Sequence, residues 1–176
     1  MKFQETENRD NLTLAHLLDI ETKSEEHENR NNLTFSRIQQ QINDSTELVA
    51  MTAHLSTDSS PSGILKFDDV KFSVGINNLT TYKNTGKFVC ERKGLYMISS
   101  TIMSEANGAH YVMYLNGIKL SDTYIGYSSS PPSTMFHTGT AVLARQLLPN
   151  DSVWVQKSSY SVHGGFYSAL TIVKVK

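Results

Sequence analysis

The sequence predicts an all-β head, an antiparallel sandwich or barrel, that follows an N-terminal stalk of helical character. All ten glycines and all four prolines lie between Pro61 and Gly165. Short apolar runs alternate there with clusters of Gly, Pro, Ser and Asn, and no ten-residue helical period separates them. The local structure of the chain is therefore expected to change near residue 60.

The stalk, residues 1–48, is predicted to be helical because it has no glycine or proline to interrupt a helix. Apolar residues of the stalk and the start of the head share one heptad register: Leu14, Leu17, Phe35, Ile38, Ile42 and Val49. Polar residues occupy the core positions between Leu17 and Phe35, so an isolated helix would be marginal in water. Two alternatives stay open, a self-associating coiled coil and a disordered stalk.

Composition excludes several classes of function. A net charge of −1 leaves no basic stripe for phosphates, so nucleic acid is not expected as a partner. No apolar run is long enough to predict a membrane span, and the first ten residues lack the pattern of a signal peptide. The single cysteine, Cys90, excludes an internal disulfide framework and a thiolate metal cluster.

The head, residues 49–176, divides into short predicted strands: residues 49–56, 64–74, 86–90, 95–103, 110–115, 118–124, 138–148, 152–157 and 166–176. Asn116-Gly117 stands between YVMYL and IKL. It predicts a two-residue hairpin, because both central positions of a type I′ turn need positive φ.

The stretch TGKFVCERKGLY, residues 85–96, predicts two neighbouring strands. Phe88 and Cys90 share one face of the first strand, which predicts a buried thiol, and Gly94 breaks the chain before the second. We expect the run that starts at Tyr96 to lie antiparallel beside residues 88–90.

Four groups of residues carry a family resemblance: Asn77-Asn78, Tyr82, Thr85-Gly86-Lys87-Phe88 and Gly94-x-Tyr96. They resemble the signature of the C1q globular domain, the head of complement C1q and its relatives. Similar segments follow the family's order over residues 49–56, 110–120, 138–156 and 166–175. In three departures, Tyr82 stands one residue closer to Phe88, and Ile98 and Ser100 occupy positions where the family prefers aromatic residues.

The resemblance implies a ten-stranded antiparallel jelly roll, related to tumour necrosis factor, that packs as a homotrimer. Three chains would give the heptad positions their missing partners, with the trimer stalk formed by Phe35, Ile38, Ile42 and Val49. No Gly-X-Y repeat precedes the head. The resemblance therefore points to non-collagenous C1q-domain proteins of the invertebrate type, many of which are soluble lectins of pattern recognition.

Sequence motifs of catalysis are missing, so no enzyme activity is expected. The chain has no nucleophile elbow, phosphate loop, His-Glu-x-x-His pair or Gly-rich dinucleotide turn. No cofactor is expected to be required. Some family heads bind calcium, and this stays open, although Asp68, Asp69 and Asp122 form no spaced oxygen-ligand loop.

Three loops are expected at one end of the head: residues 104–108, 126–133 and 158–165. Loops held by a rigid scaffold commonly bind ligands, and hydroxyls, amides and aromatic rings suit sugars. The candidates for stacking on a pyranose are Tyr127, Tyr160 and His163. The candidates for polar contacts are Glu105, Asn107, Ser128 and Ser129. Turn chemistry and cover for neighbouring strands are the alternative roles of these residues.

The sequence and the resemblance together predict a secreted trimeric lectin of innate immunity that binds carbohydrates. The partners expected are glycans or glycoconjugates and two further copies of the chain. The alternative is a cytokine-like or structural protein ligand that docks a receptor or partner protein. Five N-x-Ser/Thr sequons add weak support for secretion, at Asn11, Asn32, Asn43, Asn78 and Asn150.

Overall fold

The structure, a computed structural model, describes residues 2–46, 48–59, 62–126, 136–158 and 160–176, with the backbone alone for residues 2–11 and 44–46. The chain divides after Thr46 into two units. The first is a single helix, α1 (Lys2–Thr46). Apolar side chains of α1 are exposed, among them Phe35 at 68% and Ile38 and Ile42 at 49%. Helical character is thus observed, and self-association of α1 remains a prediction. The prediction that Val49 belongs to the stalk seam is wrong, because Val49 lies after α1 and is buried in the core of the head.

The second unit contains one short helix, α2 (Leu79–Thr85), and ten strands. The strands are β1 (Ala50–Leu55), β2 (Gly63–Ile64), β3 (Asp69–Val74), β4 (Lys87–Val89), β5 (Gly94–Ser104), β6 (His110–Leu115), β7 (Ile118–Tyr124), β8 (His137–Leu147), β9 (Ser152–Lys157) and β10 (Gly165–Lys174).

The strands form two antiparallel sheets that pack as a jelly-roll-like sandwich, as predicted. Sheet A has the order β3-β1-β10-β5-β8. Sheet B has the order β2-β9-β6-β7, and β4 pairs with β9 outside this path. In the described residues, no helix has the length and apolarity needed to cross a bilayer.

The core lies between the sheets because apolar residues alternate along the strands that face it. In β5, Tyr96, Ile98 and Ile102 are fully buried. In β9, Val153 and Val155 are buried against them from sheet B, while the residues between are partly exposed. Every second residue of these two strands therefore faces the core.

The β6–β7 hairpin is confirmed. Asn116 has φ 51° and Gly117 has φ 85°, as a turn with two left-handed residues requires. The Asn116 side chain also fixes the neighbouring β8–β9 turn. Its Nδ2 donates to Asp151 Oδ1 at 2.7 Å, and its Oδ1 accepts from the Ser152 N–H at 2.8 Å. One turn residue thus joins two connections at the same end of the head.

The predicted pairing of residues 88–90 with the run after Tyr96 is wrong. β4 pairs with β9 in sheet B, whereas β5 pairs with β8 and β10 in sheet A. The Phe88 and Tyr96 rings meet across the core, with centroids 6.0 Å apart. The Cys90 N–H donates to Asp151 O at 2.7 Å, which holds the connection after β4 on the side of sheet B. The predicted strand 64–74 is likewise divided between the sheets, as β2 and β3.

Helix α2 was not predicted, and it explains several residues of the family signature. Tyr82 of α2 is 2% exposed and packs in the core. Gly86 ends the helix with φ 71°, where a side chain would meet Leu65 O at 2.7 Å. Before the helix, the Glu91 carboxylate accepts hydrogen bonds from the backbone N–H groups of Asn77 and Asn78. These residues therefore fix the segment that leads from β3 in sheet A to β4 in sheet B.

Candidate functional site

Loops at one end of the head, called the far end, are joined by hydrogen bonds. Ser104 Oγ donates to Ser161 O at 2.6 Å, and the Gly108 N–H donates to Gly126 O at 2.9 Å. The opposite end carries the C-terminus of the chain, where the Lys174 N–H donates to Val49 O. The predicted grouping of the loops that begin at residues 104, 126 and 158 is confirmed for their described residues.

A fourth segment, residues 56–59, also belongs to the far end and was not predicted. Ser59 and Val162 exchange backbone hydrogen bonds of 3.0 and 3.1 Å. Asp58 Oδ1 accepts from the Gly164 N–H at 2.8 Å, and Asp58 Oδ2 lies 3.6 Å from His163 Nδ1. The segment, which follows β1, therefore holds residues 162–164 in place through these contacts.

The described candidates from the sequence all lie at the far end. Glu105 and Asn107 are exposed, whereas Tyr160 and His163 are half-buried. Tyr127, Ser128 and Ser129 lie outside the described residues. The structure thus brings four of the seven predicted contact residues to one end of the head.

Tyr160 and His163 contribute to two separate aromatic clusters. Tyr160 contacts His110, with ring centroids 6.3 Å apart, and His110 contacts Tyr124 at 5.3 Å. His163 instead contacts the exposed Phe136, with centroids 5.0 Å apart. Tyr160 and His163 therefore belong to two separate surfaces, one beside each sheet.

Lys157 supports the first cluster from inside the head. It is 3% exposed and occupies an inward position of β9, where its Nζ donates to Tyr160 O and, at 3.5 Å, to Ser158 O. Burial lowers the pKa of this amine. Its hydrogen bonds hold the start of the loop 158–164 and thereby the Tyr160 ring.

Residues missed from the sequence lie at strand ends and in the neighbouring segment: Asp58, His110, Tyr124 and Phe136. The signal for His110 and Tyr124 was present. Each stands at the far-end terminus of its strand, and the hairpin register pairs them directly. Opposite residues of an antiparallel pair share a face, so the two rings were expected neighbours.

Comparison with known proteins gives the family. The family model of the C1q domain matches residues 49–172. The chain belongs to the C1q domain family. No significant relative is found among curated proteins.

Solved structures agree on the fold of this C1q domain. The globular domain of zebrafish complement 1qA superposes with a TM-score of 0.55 at 14% identity, covering 74% of this chain and 98% of that one. Eiger TNF from S. frugiperda gives 0.54 at 13% identity, with 74% and 92% covered. Murine APRIL gives 0.55 at 10% identity, with 73% and 100% covered.

The outer face of sheet A is apolar and carries no charged side chain in its two central rows. One row contains Val74, Ala50, Val173, Met97 and Ala144. The next contains Phe72, Thr52, Thr171, Ser99 and Val142. Cross-strand hydroxyl pairs satisfy each other on this face, as for Thr52 and Thr171 at 3.3 Å. The C1q domain thus exposes a broad, nearly uncharged sheet surface.

The outer face of sheet B has a different character. Trp154 stacks on Tyr114 with ring centroids 5.5 Å apart, and Lys87 Nζ lies 4.4 Å from the centre of the Trp154 ring. On the neighbouring strand, β7, Lys119 Nζ forms a salt bridge with Asp122 Oδ2 at 2.7 Å. Rings and charges therefore alternate on this side of the C1q domain.

Metal binding and thiol chemistry find little support among the described residues. No three of their His, Cys, Asp or Glu side chains converge as a metal site would require. Asp68 accepts from Ser56, and Asp69 and Asp122 pair with lysines.

The Cys90 thiol is buried as predicted and donates to Arg92 O at 3.1 Å, and burial raises its pKa. A buried thiol with a raised pKa is a poor nucleophile.

The sequons occupy exposed positions in both units. Asn32 and Asn43 are exposed on α1, and Asn78 and Asn150 are exposed on the head. The side chain of Asn11 lies outside the described residues. Asn150 has φ 74° in the β8–β9 turn, at the opposite end from the loops. Glycosylation of these asparagines remains a prediction.

Proposed function

We propose that the protein is a secreted, homotrimeric lectin of innate pattern recognition that binds carbohydrates on microbial or other surfaces. The observation that carries this proposal is that the far-end loops are joined by hydrogen bonds at one end of the head, with Ser104 joined to Ser161 and Gly108 joined to Gly126. A rigid scaffold that presents loops in this way favours ligand binding over a purely structural role.

The chemistry of the far end suits sugars. Glu105 and Asn107 supply exposed carboxylate and amide groups, which pair with the vicinal hydroxyls of a sugar. Tyr124 and Phe136 supply exposed rings, against which the apolar face of a pyranose packs. Such a site is shallow, so a single copy would hold a monosaccharide only weakly.

Homotrimer formation supplies the missing affinity. The uncharged outer face of sheet A is the surface that we propose to be buried between copies, since obligate interfaces resemble an apolar core cut in half. Phe35, Ile38 and Ile42 would add a coiled-coil seam in the stalk. Three sites on one rigid assembly gain roughly 10² to 10⁴ in avidity on a repetitive glycan.

Binding of the full-length chain to a glycan array tests the function. We expect saturable binding that free sugar inhibits, and loss of that binding in a variant carrying Glu105→Ala, Asn107→Ala and His163→Ala. The matched control is Ile118→Ala, which truncates a residue that is 69% exposed at the opposite end of β7. An array without any inhibitable binding rejects the lectin function.

The second candidate is a cytokine-like protein ligand that docks a receptor. The stack of Trp154, Tyr114 and Lys87 on the outer face of sheet B favours it, because aromatic residues are enriched where proteins bind proteins. Nanomolar capture of a protein that Trp154→Ala abolishes, together with a silent glycan array, selects this function over the first.

A further inference from the structure

Tyr124 presents an ordered and open aromatic ring at the far end of β7. The residue is 70% exposed. One side of the ring is held by His110, with centroids 5.3 Å apart and planes inclined by 34°. The exposed part of the ring is therefore a flat apolar surface that its neighbour keeps in a fixed orientation.

The support beneath the Tyr124 ring includes two part-buried hydrogen bonds. The His110 ring contacts the ring of Tyr160. The backbone carbonyl of Tyr160 accepts a hydrogen bond from the amine of the buried Lys157. Ser158 Oγ donates to His110 O at 3.3 Å. Because these contacts order the ring before any ligand arrives, binding loses less conformational entropy than binding to a free side chain would.

Polar groups surround the ring on the outer face of sheet B. Asp122 lies two residues before Tyr124 on the same face of β7. Its partner on β6 is Val112, and the partner of Val112 on β9 is the exposed Gln156. Rows two residues apart on a strand are separated by about 7 Å. The carboxylate of Asp122 stands at that range, whereas the amide of Gln156 and the hydroxyl of Ser158 lie two strands away, at about 10 Å or more. An aromatic surface with such polar groups around it matches a sugar, whose edge is polar and whose face is apolar.

The charges near Tyr124 favour a neutral sugar. The carboxylate of Asp122 is compensated by Lys119 at 2.7 Å. Glu105 and Asp58, exposed on the far-end loops, add negative charge, while Lys157, the last residue of β9, is buried. These negative charges would repel a sulfate or carboxylate group on the ligand, which would weaken the binding of an anionic sugar.

We propose that Tyr124 is the stacking platform of a subsite for neutral pyranosides, with His110 as its positioning residue and Asp122, Ser158 and Gln156 as polar neighbours. The subsite rests on the proposed lectin function and extends it from the loops onto the outer face of sheet B. The pyranoside lies on the open face of the Tyr124 ring, and its hydroxyls point toward the polar neighbours.

The experiment compares full-length Tyr124→Ala, Tyr124→Leu and Tyr124→Phe with wild type on immobilised mannan, galactan, dextran and dextran sulfate. Wild type is expected to bind at least one neutral polysaccharide and to leave dextran sulfate unbound. Tyr124→Ala and Tyr124→Leu should each weaken the neutral binding at least about fivefold, because they remove the ring. Tyr124→Phe should bind within about twofold of wild type, because stacking does not use the hydroxyl.

Controls separate this subsite from the lectin function itself. Tyr124→Leu keeps apolar bulk on β7, and Ile118→Ala changes an equally exposed residue of the same strand. If Tyr124→Leu binds like wild type while Glu105→Ala with Asn107→Ala does not, the platform is rejected and the lectin function stands. Preference for dextran sulfate over dextran overturns the charge argument. Binding to none of the four polysaccharides or to a glycan array rejects both proposals.

Discussion

Ser100 and Tyr111 join the two sheets through a hydrogen bond in the middle of the core. Ser100 Oγ, from β5, donates to Tyr111 Oη at 3.1 Å, and Tyr111 Oη donates to Ser100 O at 3.0 Å. Both residues are completely buried. Ser100 stands where the family prefers an aromatic residue, and the Tyr111 ring from the opposite sheet reaches this position instead.

Tyr111→Phe should destabilise the head by about 1–3 kcal/mol, because it leaves the buried Ser100 hydroxyl without its acceptor. Urea unfolding followed by tryptophan fluorescence measures the effect. The matched control is Tyr124→Phe, which removes an exposed hydroxyl and should change stability by less than about 0.5 kcal/mol. Equal stability of the two variants would show that this hydrogen bond contributes nothing.

Buried phenols predict alkaline destabilisation. Burial raises the pKa of Tyr82, Tyr96 and Tyr111 above the ordinary value of 10.0. The folded phenols keep protons that the unfolded chain releases, so this stability is present below about pH 10 and is lost as the pH rises further. Urea unfolding from about pH 8 to about pH 11 should show a falling free energy of unfolding.

Tyr82→Phe refines that test, because the Tyr82 hydroxyl is buried without a hydrogen-bond partner among the described residues. The variant should be at least as stable as wild type at neutral pH and should lose part of the alkaline decline. A decline as steep as that of wild type would assign the effect to other groups.

Acid should weaken the turn that Asp151 fixes. The Leu148 N–H, followed by the Asn116 side chain, lowers the pKa of Asp151 below 3.8. A carboxyl group whose pKa is lowered by folding stabilises the fold at pH values above its ordinary pKa. This stabilisation disappears as the pH falls through the folded-state pKa. Asp151→Asn should therefore be less stable than wild type at pH 6 and closer to it at about pH 2. A difference between the two that is independent of pH would contradict this linkage.

Charge on the outer face of sheet A should dissociate the trimer that we propose. Val142, 57% exposed, lies in the second central row of that face, so Val142→Lys would bury an unpaired amine at the proposed interface. Sedimentation velocity at micromolar concentration should show a smaller species. Ile118→Lys, at a site 69% exposed on sheet B, serves as the control and should remain trimeric. A trimer in both variants would move the interface elsewhere.

Disruption of the stalk should reduce avidity and leave the head folded. The double variant Ile38→Asp with Ile42→Asp puts carboxylates at two heptad core positions. Polysaccharide retention is expected to fall by roughly 10² or more, while the thermal unfolding of the head is unchanged. Leu33→Asp, exposed and outside the heptad core register, is the matched control. Full retention by the double variant would make the stalk dispensable.

Local pattern predicted much of this fold from the sequence. The short apolar runs indicated most of the strands, and Asn116-Gly117 indicated the hairpin. Both features depend on neighbours within a few residues, where the geometry of the chain leaves little choice. The family resemblance added the order of the strands. It did not reveal α2, because seven residues give too short a helical period to recognise.

The candidate site was predicted only in part. Glu105, Asn107, Tyr160 and His163 were identified because loop position and residue type are visible in the sequence. The separation of Tyr160 from His163, and the approach of Asp58 to His163, depend on contacts between distant segments. Residues 58 and 163 are brought together by β1 and β10, which pair across more than a hundred residues.

The sequence by itself determined which residues lie in strands, which face of each strand is apolar and where the chain turns, because these follow from short-range stereochemistry. Only the tertiary structure decided that β4 and β5 lie in opposite sheets, that Tyr111 reaches Ser100, and that Tyr124 rests on His110. Strand partners are chosen by the free energy of burying whole faces together, and that energy depends on residues far apart in the chain.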